Sequence, residues 1–143
     1  IIVGSAQHSH TLENPFTAGE RIQMITETLD DESISRRVYI IPIDDIHRHS
    51  VWVRQVESLT PSFEVVFSNE PITIRLFKEA QYTVKNTELI HREKWSGTEI
   101  RRKILQNESW EKCVPPSVAR VIKEIDGVTR IKDLSRTDNL HKE

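Results

Sequence analysis

Cysteine is almost absent from this chain of 143 residues: Cys113 stands alone, which excludes any intrachain disulfide. A single thiol fits a reducing, cytoplasmic setting. A basic excess is also missing, since 20 Lys and Arg face 22 Asp and Glu for a formal net charge of -2. Both signs are mixed along the chain, which argues against a general nucleic-acid binder. No apolar run approaches the ~20 residues that span a bilayer, and no signal-peptide pattern is present. The chain has no internal repeat, no low-complexity segment and no interior linker, so it reads as one domain. Methionine occurs once, at Met24, and the sequence opens directly on Ile1-Ile2-Val3-Gly4, which reads as a processed or cropped start.

What is present is an ordinary globular balance of 36% hydrophobic and 29% charged residues. Apolar runs alternate with helical stripes. Ile1–Val3 reads as the end of a buried strand stopped by Gly4. Thr17 and Glu20 form a capping box ahead of Ile22, Met24, Ile25 and Leu29. Val38–Ile41 reads as a strand buried on both faces, ended by Pro42. Ser50 is expected to cap a helix carrying Trp52, Val53, Val56 and Leu59. Val65–Phe67 is a third strand, Pro71 the first residue of a third helix, and Tyr82–Val84 a short fourth strand. Ser96 and Glu99 form a second capping box. Pro115-Pro116 opens a helix through Ile125 that Gly127 is expected to close. Thr129 is expected to cap a short last helix through Leu134, and Thr137–Glu143 to fray. The alternation predicts an α/β fold of the Rossmann-like type, a parallel sheet with helices on both faces.

In such sheets ligands lie beyond the carboxyl ends of the strands. Chemistry-bearing residues fall just there: Gly4-Ser5-Ala6-Gln7, Asp44-Asp45, Ser68-Asn69, and the segment Ser96–Arg102. The last is the sharpest signal. Arg101, Arg102 and Lys103 crowd the positive end of a helix, an arrangement that a polyphosphate would relieve, with Gly97 allowing close approach and Ser96 and Thr98 offering hydroxyls. Ordinary capping with the cations turned to solvent explains the same pattern. Trp52 fits either a flat-ring platform or a core position in the Trp52/Val56/Leu59 stripe. Asp44-Asp45 fits an acidic loop better than a metal pair, because adjacent side chains at a strand end diverge. His8, His10, His47 and His49 lack the ligand set and spacing of a zinc site.

Taken in order, Gly4–Gln7, Ser9-His10-Thr11, Asn14–Arg21, Ile41-Pro42-Ile43, Asp45-Ile46, Trp52-Val53, Ser96–Arg102, Val121–Ile125 and Gly127-Val128 resemble the archaeal nicotinamide-nucleotide adenylyltransferases along nearly the whole chain. The resemblance implies a cytoplasmic, often hexameric enzyme that joins ATP and nicotinamide mononucleotide (NMN) into NAD with Mg²⁺ accompanying ATP. It implies Arg101 and Thr98 as catalytic residues. Gly4, Ser5, Ala6, Gln7, Phe16, Thr17, Asp45, Ile46, His49 and Trp52 would serve NMN, with Trp52 stacked on the nicotinamide ring. Ser68, Asn69, Ser96, Gly97, Thr98 and Arg101 would serve ATP. His49 stands where the family commonly has asparagine, and Asn69-Glu70 where many members have Gly-Asn. The family also carries a strand followed by Gly-Arg-Phe-Gln-Pro-Phe-His-x-Gly-His ahead of this region. Residues 1–143 are therefore expected to lack a central strand and part of the triphosphate clamp, and not to make NAD unaided. A related transferase acting on pantetheine or glycerol phosphate, or a non-catalytic nucleotide-binding module, are the alternatives; a flat-ring role for Trp52 separates the first from NMN.

Overall fold

The computed structural model describes the backbone of residues 1–140 and the side chains of residues 1–137. The order is β1 (Ile2–Val3), α1 (Ala18–Asp31), a 3-10 turn (Ser35–Arg37), β2 (Ile41–Pro42), α2 (His49–Leu59), β3 (Val65–Phe67), α3 (Pro71–Glu79), β4 (Thr83–Lys85), α4 (Arg92–Trp95), α5 (Gly97–Leu105), a second 3-10 turn (Glu111–Cys113), α6 (Pro116–Glu124) and α7 (Gly127–Leu140). Every pairing is parallel. β1 runs beside β2 with Ile2 opposite Ile41, and β3 beside β4 with Val66 opposite Val84. The strands form two separate two-stranded sheets, not one continuous sheet. Together with the helices that connect and cover them, this is the mixed α/β, Rossmann-like arrangement that the alternation predicts.

Two apolar clusters hold the fold. The first gathers Met24 of α1, Ile104 of α5, Trp110, Val121 and Ile122 of α6 and Ile131 of α7. The second gathers Ile43, Val53 and Val56 of α2 and Phe77 of α3, with Phe63 and Tyr82 stacked at 4.8 Å on its margin. Complete burial of one such aliphatic side chain contributes about 1.5–3 kcal/mol.

Several local expectations change. Val38–Ile41 is not a strand buried on both faces: only Ile41–Pro42 is ladder-paired, and Tyr39 is 72% exposed. Its partner β1 is two residues long and turns away at Ser5 (φ 48°), so little ladder exists to pair with. Ser50 does not cap α2, which starts two residues earlier than that cap would set it, at His49, with Arg48 at the cap position and no side-chain cap. The Asp45 carboxylate takes the His47 N–H at 2.8 Å and so sets an earlier turn into the helix.

Thr17 and Glu20 make the complete capping box on α1. Ser96 caps α5 through the Glu99 N–H, but the Glu99 carboxylate turns to Arg102 and does not return to the cap. The box is half formed there. Pro71 is the first residue of α3, as its fixed φ favours.

Gly127 does not close α6. Asp126 takes the left-handed conformation (φ 52°), and Gly127 begins α7. Gly127 is needed for a different reason: a Cβ there would lie 2.8 Å from Phe16 Cε1 and 3.0 Å from the Ile122 carbonyl. Thr129 lies within α7 and donates to Asp126 Oδ1 at 2.7 Å. The last helix therefore spans Gly127–Leu140, longer than the expected segment to Leu134, and takes in Thr137–Leu140 of the expected frayed tail. Residues 141–143 of that tail lie outside the described residues.

Candidate active site

The turn after β1 is built by Arg21 of α1. Its guanidinium donates to the carbonyls of Gly4 (2.9 Å), Ser5 (3.0 Å) and His8 (3.4 Å), fixing the left-handed turn at Ser5. Three carbonyls and, among the described residues, no carboxylate receive this cation, so its guanidinium serves to shape a loop. Gln7 then ties this loop to the one after β2. Its Nε2 donates to the Asp45 carbonyl at 2.6 Å and its Oε1 accepts from the Asp45 N–H at 2.9 Å. The Ala6 N–H donates to the Ile43 carbonyl at 3.1 Å.

These joined loops form one wall of a cleft of about 360 Å³. Gly4, Ser5, Asp45, Ile46, His49 and Trp52 all line it, as expected for residues that follow strands in a parallel sheet. Trp52 is half-buried, resting one side on the second core cluster while lining the cleft with another. Of the stripe that would have placed it in the core, Val56 is buried but Leu59 is 49% exposed. The opposite wall comes from the start of α3, through Ile72, Thr73 and Leu76, and from Glu70, whose carboxylate accepts the Thr73 N–H at 2.6 Å. That hydrogen bond holds the Glu70 carboxyl below its ordinary range.

Four other residues expected on the same side do not line the cleft: Ala6, Gln7, Phe16 and Thr17. Gln7 is committed to Asp45. Thr17 is committed to capping α1, and Phe16 packs against the first core cluster.

The polar residues of the other half are mostly engaged locally. Ser68 Oγ accepts from the Glu70 N–H at 3.1 Å. Asn69 donates to Thr87 Oγ1 at 2.9 Å and accepts from the Thr87 N–H at 3.1 Å, tying the ends of β3 and β4 as Gln7 ties those of β1 and β2. Ser96 Oγ is the cap of α5. The first amides of α5, on Gly97 and Thr98, have no partner within the helix by its geometry.

The crowding of cations on α5 resolves into one that stands apart. Arg102 donates to both carboxylate oxygens of Glu99 at 2.8 Å and to Glu108 at 2.8 Å, and these bonds push its pKa up. Lys103 lies 3.9 Å from Glu99 and 3.7 Å from Glu108. Arg101 has no ion pair among the described residues. It folds back along the helix start, with Nη2 3.4 Å from Thr98 Oγ1 and Nη1 3.0 Å from where a Cβ on Gly97 would sit. Burial pushes its pKa down, against the attraction of Glu13. A half-buried guanidinium beside the start of a helix has the chemistry to receive an oxyanion.

Sequence reasoning missed Arg48, which lines the cleft beside His49, and the apolar wall from α3. The start of α3 was legible at Pro71, but nothing in one sequence says that this helix end faces Trp52.

Residues 1–103 match the family model described as Cytidylyltransferase-like. The chain is 54% identical over 142 residues to the nicotinamide-nucleotide adenylyltransferase of Archaeoglobus fulgidus, covering 96% of this chain and 82% of that protein. It is 52% identical over 138 residues to the enzyme of the same name from Picrophilus torridus, covering 96% of this chain and 81% of that one. The match with the Thermoplasma acidophilum protein of that name is 50% over 138 residues, covering 96% and 76%. The chain belongs to the nicotinamide-nucleotide adenylyltransferase family. It is thus a nucleotidyltransferase enzyme of mixed α/β fold. The cleft, the Gln7 and Asn69 ties and Arg101 all lie within the matched residues 1–103, whereas α6 and α7 lie beyond them.

Proposed function

We propose that the protein transfers the adenylyl group of ATP to NMN, giving NAD and pyrophosphate. The observation that carries the reading is the family membership, at half identity across nearly the whole chain. In the reaction a 5′-phosphate oxygen of NMN attacks the α-phosphorus of ATP. A new P–O bond forms as the bond to the bridging oxygen of the β-phosphoryl group breaks, and pyrophosphate carries away the electron pair. No protein nucleophile is required, so the enzyme acts by positioning and by neutralising charge.

The cleft beside Trp52 suits the nicotinamide end, with the ring against the indole and Gly4, Ser5, Asp45, Ile46 and His49 around it. Pantetheine and glycerol phosphate have no flat ring and would leave Trp52 without a task. Arg101, Thr98 and the Gly97 and Thr98 amides suit the phosphate chain, with Arg101 meeting the charge that grows on the leaving pyrophosphate. Ala6, Gln7, Phe16, Thr17, Ser68, Asn69 and Ser96 then act mainly by holding loops and helix ends in place. No three His, Cys, Asp or Glu side chains converge on a metal-binding point among the described residues. Mg²⁺ would come with ATP, held by its phosphate oxygens as this hard, well-hydrated ion usually is in phosphoryl-transfer sites, and would supply further charge neutralisation.

No helix of the described residues is long and apolar enough to cross a membrane. The family resemblance supports a homo-oligomer, a hexamer, working in the cytoplasm. The test is product formation from ATP, Mg²⁺ and NMN, with NMN replaced in turn by phosphopantetheine and glycerol phosphate. NAD and pyrophosphate in equal amounts from NMN alone support the reading; turnover of another acceptor in preference to NMN overturns it.

A further inference from the structure

We infer that Arg130 of α7, beyond the family-matched residues, is a positioning residue for the NMN side of the site. Arg130 makes a two-pronged pair with Glu20, Nη1 to Oε2 at 2.7 Å and Nη2 to Oε1 at 2.9 Å, with the two side chains 22% and 19% exposed. Its Nη1 also donates to the Pro15 carbonyl at 3.3 Å, and its Nη2 reaches the Ile125 carbonyl at 3.5 Å.

Glu20 is the residue through which this grip reaches the site. The same carboxylate accepts the Thr17 N–H at 2.8 Å, while Thr17 Oγ1 accepts the Glu20 N–H at 3.2 Å. Arg130 therefore locks the capping box that starts α1. α1 in turn carries Arg21, one turn's neighbour of that cap, whose guanidinium shapes the Gly4–Ser5 wall of the cleft. The start of α7 supports the same loop by packing: Phe16 lies where a Cβ on Gly127 would stand 2.8 Å away. Two independent contacts, one ionic and one steric, thus run from α7 to Phe16-Thr17. A fork-shaped guanidinium suits this geometry, and an ammonium would keep the charge without the second prong.

The inference rests on the proposed reading of the cleft as the NMN end. Steady-state kinetics on the full protein, varying NMN and ATP separately, test it with Arg130→Ala, Arg130→Lys and Arg120→Ala. Arg120 pairs with Glu27 at 2.9 Å between α6 and α1 but touches no part of the loop. Arg130→Ala is expected to raise KM for NMN on the order of tenfold, through misplaced contacts, with kcat and KM for ATP unchanged. Arg130→Lys should recover part of the loss, and Arg120→Ala should change neither KM. Hydrogen exchange supplies a readout independent of activity. Amides 16–21 should exchange faster in the Arg130 variants than in the parent and Arg120→Ala. If Arg130→Ala does not fold, Arg130→Lys carries both measurements. Parallel rises in both KM values, equal effects of Arg120→Ala, or unchanged exchange at residues 16–21 overturn the inference. A parent protein that turns over another acceptor in preference to NMN overturns the functional reading instead, and exchange still decides whether Arg130 holds the loop.

Discussion

Gln7 meets the backbone of Asp45 as a neighbouring strand would, its amide donating at 2.6 Å and accepting at 2.9 Å. One side chain thus extends the β1–β2 pairing past the point where the strands end. Gln7→Glu keeps the acceptor and loses the donor, and so sets a carboxylate against the Asp45 carbonyl. The expected result is a loss of roughly 1–3 kcal/mol of stability, the usual range for leaving a partner group unmet, together with a raised KM for NMN. Urea denaturation measures the first and initial rates the second. Unchanged midpoints would show that the tie is incidental.

Trp52→Ala is expected to weaken NMN binding more than ATP binding. Loss of ring stacking should account for about 1–3 kcal/mol, the scale of base–aromatic contacts. Calorimetric titration of each ligand checks the asymmetry. Equal weakening of both, or global unfolding, would return Trp52 to a purely core role, which its contact with the second cluster makes a real contest.

Arg101→Ala should lower turnover by roughly 10²–10³ while leaving NMN affinity nearly intact, by analogy with removal of a single oxyanion donor. Arg102→Ala should cost little turnover, because Arg102 is already committed to Glu99 and Glu108. Its loss should appear instead as a small drop in melting temperature, because solvent screens so exposed a pair. Single-turnover kinetics on both variants separates the roles, and equal turnover losses would reject the distinction.

Gly97→Ala should separate stability from activity. Alanine suits a helix better than glycine by up to about 1 kcal/mol, so the melting temperature should hold or rise. Its Cβ would stand 3.0 Å from Arg101 Nη1 and push the guanidinium away, so kcat should fall. A variant with full kcat would mean that Arg101 works from another position.

Stability should also depend on pH through Glu20. Hydrogen bonds from Arg130, followed by that of the Thr17 N–H, hold its carboxyl below the ordinary 4.5, with burial opposing them. The folded state then binds this proton less readily than the unfolded chain. The contribution is therefore complete above about pH 4.5 and is lost as pH falls through the lowered value. Denaturant midpoints of the parent and Glu20→Gln should differ near neutrality and converge on acidification. A gap that stays constant with pH would remove the ion pair from the account.

The sequence carried the elements whose signals are local. Thr17 with Glu20, Pro71 and Ser96 mark helix starts by chemistry confined to four residues, and each start is found within a residue of its place. Helix ends were less legible. Gly127 looked like a stop, yet Ser33, Gln81, Asn107 and Asp126 take the left-handed positions after α1, α3, α5 and α6 without any glycine. The cleft residues after β1 and β2 were legible because parallel topology puts ligands there. What could not be read was the division between contact and support. Gln7 and Asn69 have the polarity of ligand-binding residues, and only tertiary pairing shows them spent on Asp45 and Thr87. Arg130 is separated from Glu20 by 110 positions, so no periodicity could join them.

The two core clusters have a consequence for how the molecule comes apart. Arg101 stands on a helix rooted in the first cluster through Ile100 and Ile104, whereas Trp52 rests on the second. Each cluster has its own set of helices, so each can act as a separate unit of local opening. With the ATP phosphate chain reaching Arg101 and NMN resting on Trp52, the two substrates bound together would bolt the two units to one another. The substrate pair would then do more than add its binding energies: it would merge two melting events into one.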